Sequence, residues 1–180
     1  RPLEAAAVLL DAYVDAGDRK AAAALAADAP TWSIANASAP ARVRAHVALA
    51  RYAADARDAA AALDHYRQAL ALARDFGTPL VLRDAAVPYA EFQLAAGAVD
   101  VARATASIVG PYAEDAFQVA LLMARVAAAT HDDGLARSYF AAAHRLAGER
   151  WTPSIGAEQA KIADTDASAH ESPVRNIAGG

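Results

Sequence analysis

The chain contains no cysteine. Disulfides, thiolate nucleophiles and cysteine-ligated zinc are therefore excluded at the outset. Aromatic residues are scarce, 7% against 56% hydrophobic overall, because alanine dominates the apolar set. Alanine is the best helix former and fills little volume, so such a core needs closely approaching helices. Lysine is nearly missing, with Lys20 and Lys161 alone; the reliance on arginine points to a GC-rich bacterial genome. Lys+Arg 17 against Asp+Glu 21 leaves a net charge of −4 on 180 residues, so no direct nucleic-acid contact is expected. The longest apolar run, residues 119–130, is broken by Arg125 and is too short to span a bilayer. Sustained period-two alternation, a glycine-rich phosphate loop, a nucleophile elbow and histidines at metal-ligand spacing are all missing. The chain opens on Arg1 rather than Met and has no signal-peptide core, so it reads as a cytoplasmic segment of a longer protein.

What is present is helical periodicity, punctuated by glycine and proline. Helices are predicted over 2–16, stopped by Gly17, and over 18–29, stopped by Pro30. A loop over 30–40 precedes a pair at 41–55 and 58–75, closed by Gly77 and Pro79. The next helix, 80–97, carries Pro88, which should kink or split it, and 99–109 answers it before Gly110 and Pro111. The last pair covers 113–130 and 134–147, closed by Gly148. The expected fold class is all-α: a helical domain over 1–150 and a C-terminal extension over 151–180. In that extension a short capping helix is predicted over 154–163, with Ser154 as its N-cap, and a mobile tail beyond Asp164.

The second helices of the pairs share a register. Ala22, Ala62, Ala102 and Ala136 lead them, at separations of 40, 40 and 34. Small–aromatic–small spacing follows in Ala62, Tyr66, Ala69 and in Ala136, Phe140, Ala143, which makes Tyr66 a packing residue. Five residues before each leading alanine lies a turn position: Gly17, Arg57, Gly97 and His131. The pattern resembles the tetratricopeptide repeat, over residues 3–148 and most closely in the second and fourth units. It lacks that family's early tryptophan and exceeds its period in two units.

The resemblance implies a right-handed α-solenoid of about four helix–turn–helix repeats. It implies a non-enzymatic scaffold that takes a protein or peptide in a concave groove, as a module of a bacterial regulatory or signalling protein, including transcription regulators. By that alignment the groove is lined by Arg44, Arg51, Asp84, Glu91, Gln118 and Arg125. The three arginines are the candidates for gripping an acidic group, since guanidinium offers a bidentate fork. The competing reading pairs Arg44 and Arg51 with Asp11 and Asp15 of the preceding first helix. The Lys/Asn clamp of the family's co-chaperone members is missing from these positions. No cofactor or metal is implied.

Two alternatives stand beside this. Residues 131–134, "HDDG", resemble the His-Asp pair of HD-type metal phosphohydrolases, centred on His131 and Asp132; the competing reading is a turn with Asp133 as N-cap. A purely structural or self-associating helical domain, such as a homodimer, is the other. His65 and His144 sit beside Asp64 and Arg145 on polar faces and are expected at the surface.

Overall fold

The computed structural model describes residues 3–32 and 34–170, with side chains to residue 162, and all regular structure in them is helical. The pairs are α1 (Leu3–Asp15) and α2 (Arg19–Ala27), α3 (Ala39–Asp55) and α4 (Ala59–Phe76), α5 (Pro79–Ala95) and α6 (Val99–Ser107), and α7 (Phe117–Ala129) and α8 (Asp133–Ala147). α9 (Pro153–His170) follows.

One turn recurs in every pair. Gly17, Arg57, Gly97 and His131 have φ of 68, 63, 74 and 59°, so the four positions aligned from sequence share the left-handed conformation. The residue after each donates its N–H back to a carbonyl near the helix end: Asp18 to Tyr13, Asp58 to Ala53, Ala98 to Gln93, Asp132 to Ala127, all at 2.8–2.9 Å. This is the six-to-one closure of a Schellman motif. In three pairs that next residue is also the N-cap of the following helix. Asp18, Asp58 and Asp132 accept from the backbone N–H of Ala21, Ala61 and Leu135, each at 3.0 Å. The N-cap of α8 is thus Asp132, not the expected Asp133, which is already the first helical residue.

Pro88 neither splits nor ends its helix; α5 runs unbroken from Pro79 to Ala95. The hydrogen bond it forfeits is to the carbonyl of Asp84, an exposed residue. α9 is longer than the helix expected over 154–163 and begins before Ser154. Thr152 Oγ1 accepts instead from the N–H of Ile155, at 3.4 Å. The tail expected to be mobile lies, beyond residue 170, outside the described residues.

The chain forms two compact units, Arg1–Pro111 and Tyr112–Gly180. In the first, α3 packs against α1, α2, α4 and α5, so first helices of successive pairs lie side by side. Its N-terminal core joins Leu3, Ala7 and Leu10 with Ala22, Leu25, Ala45 and Leu49, and Trp32, from the loop, is buried among them. Further on, Tyr66 is buried, with its ring stacked on Tyr89 at 5.3 Å and tilted against Phe92. In the second unit α7 and α8 pack together and α9 rests on α8. Phe140, 1% exposed, sits among Ala120, Ala124, Ala136 and Ala143, with Ile155 and Ile162 of α9 closing the cluster. The small–aromatic–small stripes are core in both units, as alanine neighbours allow helix backbones near enough to enclose one ring.

Candidate functional site

On α1, Asp11 and Asp15 lie one turn apart and so project from one face. Arg51 of α3 bridges them, donating through Nη1 to Asp11 Oδ1 at 2.7 Å and through Nη2 to Asp15 Oδ1 at 2.5 Å. Burial raises the Asp11 carboxyl above its ordinary pKa despite the attraction of Arg51. For Arg51, burial works downward, but Asp11 and Asp15 together outweigh it and the guanidinium ends above its usual value. Tyr66 of α4 reaches the same neighbourhood. Its phenol is pushed up to about 12, mainly by burial, with Arg51 lowering it and Glu91 and Asp11 raising it.

Arg44, two turns before Arg51 on α3, is exposed and has no ion-pair partner among the described residues. It feels Asp11 on one side and Asp84 of α5 on the other. The Asp84 carboxyl is raised, first by desolvation, with Arg83 and Arg44 pulling it back. Four of the predicted groove residues, Arg44, Arg51, Asp84 and Glu91, therefore belong to one electrostatic cluster across α1, α3 and α5.

The other two predicted residues lie on α7, in the second unit. Gln118 is exposed. Arg125 forms a two-pronged pair with Glu158 of α9, Nε to Oε2 at 2.9 Å and Nη2 to Oε1 at 3.1 Å. Arg51 thus makes the pairing with Asp11 and Asp15 that the competing reading expected, and Arg125 is engaged in the same way by Glu158; both arginines are half-buried.

Sequence reasoning missed a histidine pair. His46 of α3 is buried, and its Nδ1 lies 3.2 Å from Nδ1 of His65 on α4. His65 is half-buried rather than at the surface as expected, because the α3–α4 packing turns it inward. It borders a cleft of about 530 Å³ that is also lined by Ile34, Leu49, Tyr52 and Asp58. Burial, reinforced by His65 and Arg42, lowers the pKa of His46 to about 4, and burial lowers that of His65 as well. Nineteen residues separate the two in sequence, so no local spacing announced them. His144 is exposed as expected, its ring edge-on to Trp151 at 4.6 Å.

His131 occupies the left-handed turn position and Asp132 is used as a cap, so both have structural employment. Among the described residues no three His, Cys, Asp or Glu side chains converge as metal ligands, and no helix is long and apolar enough to cross a membrane. No protein-family model matches the chain, and no curated protein and no solved structure matches it.

Proposed function

We propose that this chain is a tetratricopeptide-like repeat module whose pairs stack as a right-handed α-solenoid, and that it binds an extended peptide without catalysing a reaction. Two features support the repeat reading: the fourfold turn with its left-handed residue, and the side-by-side placement of α1, α3 and α5. The binding face is the one carried by those three helices. The observation that carries the reading is the contrast between its two arginines. Arg51 is held by two carboxylates, whereas Arg44 presents an exposed guanidinium with no ion-pair partner among the described residues. A guanidinium so placed suits a peptide carboxylate, from a side chain or a chain terminus. Asp84 beside it offers an acceptor for the peptide's N–H groups.

The test is a capture experiment from the source organism's lysate with wild type, Arg44→Glu and Arg51→Glu, each checked for helix content by circular dichroism. Arg44→Glu should lose the specific partner at unchanged fold, because repulsion replaces a charge-assisted hydrogen bond. Arg51→Glu should lose stability first, since it places three carboxylates together. An unchanged partner set with Arg44→Glu would remove this face from the account.

A further inference from the structure

The His46–His65 pair has no role in the proposed peptide face, and its geometry points elsewhere. We infer that His46 and His65 form a two-imidazole chelate for a divalent transition-metal ion of the zinc type, opening onto the cleft that His65 borders. Zinc holds imidazole nitrogens at about 2.0–2.1 Å. Two nitrogens 3.2 Å apart then subtend about 100° at the metal, near the tetrahedral angle. The rings are tilted by 39° with centroids 5.4 Å apart, as in a hydrogen-bonded pair. A swing of each ring about its Cβ–Cγ bond converts that pair into a chelate. His65, half-buried at the cleft wall, has room to make it.

Metal ions take the neutral imidazole. Burial keeps both rings neutral at pH 7. Without metal, one Nδ1–H donates to the other Nδ1; on binding, that proton is relocated to Nε2 through solvent, with no net release at neutral pH. Two protein ligands, one fewer than an open catalytic zinc site has, leave the remaining positions to water or to a carboxylate entering from the cleft. Asp64 favours a cation near the pair and Arg42 opposes it. Both ligands come from packed helices, so the positions of their Cβ atoms are set before the ion arrives and only the rings must turn.

The experiment titrates ZnCl2 into the full chain at pH 7, read by calorimetry and by the zinc-dependent rise in melting temperature. Wild type should bind one ion saturably. His65→Asn and His46→Gln should each weaken binding at least tenfold, while His144→Asn should bind as wild type does. Reading only the zinc-dependent increment keeps the result separate from any effect of the substitutions on folding. As a check that needs no variant, the imidazole nitrogen spectrum of wild type should show two Nδ1 resonances moving together with zinc. The absence of saturable binding would overturn the inference. Binding retained by both His46 and His65 variants, or shifts confined to other histidines, would equally overturn it by showing an adventitious ion only.

Discussion

The two units use the same helix-pair grammar and differ in what their arginines hold. Arg51 in the first reaches back to two carboxylates on the preceding first helix, α1. Arg125 in the second reaches forward to Glu158 on the helix that follows its pair, α9. The first unit's arginine thus ties neighbouring first helices together, and a second cation, Arg44, remains exposed. In the second unit the arginine's fork is occupied by the chain's own C-terminal helix. The lesson is that a charged residue at a groove position is a binding candidate only after its neighbours have been counted. The first unit also has the His46–His65 pair, while two histidines of the second, His131 and His144, are exposed.

The largest expected effects are in packing and should be alike in both units. Tyr66→Ala and Phe140→Ala should each destabilise by about 3–5 kcal/mol, measured by denaturant unfolding, because each removes a buried ring from the core and leaves a cavity. A wild-type midpoint for either would break the shared grammar.

Next comes acid, which should separate the units. His46 has a folded pKa of about 4 against an ordinary 6.5, so between those values the folded state binds fewer protons than the unfolded one. Its stability is complete above pH 6.5 and declines as pH falls, by up to about 3 kcal/mol near pH 4. Asp11 and Asp84, raised in the folded state, act in the opposite sense as pH falls through the carboxylate range. The histidine contribution is therefore the part of the pH dependence that His46→Gln removes. Amide exchange followed from pH 7 to 5 should show α3 and α4 loosening before α7 and α8.

Arg125→Ala should cost about 1 kcal/mol, the upper range for a half-exposed ion pair with two-pronged geometry. Proteolysis should then release α9 more readily. The smallest effect has the opposite sign. His131→Gly should gain about 0.5 kcal/mol by thermal melting, since glycine relieves the cost of the left-handed conformation and offsets part of it with added chain entropy. A loss of stability on that substitution would mean His131 holds something besides the turn.

How far the sequence was legible follows from the range of each interaction. Helix pairs, turn positions and buried stripes could be read because helical period and left-handed turns are local, and Gly17, Arg57, Gly97 and His131 fell into one register. The cap of α8 was misplaced by one residue, since Asp132 and Asp133 are chemically identical and only the backbone decides between them. Pro88 left a kink and a split both open, because local propensity cannot decide between them; α5 is not split. The pairing of Arg51 with Asp11 and Asp15 could be foreseen because the repeat register sets first helices side by side, whereas Arg125 with Glu158 and His46 with His65, 33 and 19 residues apart, share no such register. No window of local pattern contains them.

The proposed peptide site lies on the α1–α3–α5 face, beside Arg44. Photo-crosslinking from that face decides it, with a photoreactive residue at exposed Leu80 on α5, one turn before Asp84, or at exposed Arg67 on α4, a second helix. A covalent adduct with the captured partner should form from position 80 and none from position 67. An adduct from position 67 alone would refute this face and move binding to the second helices.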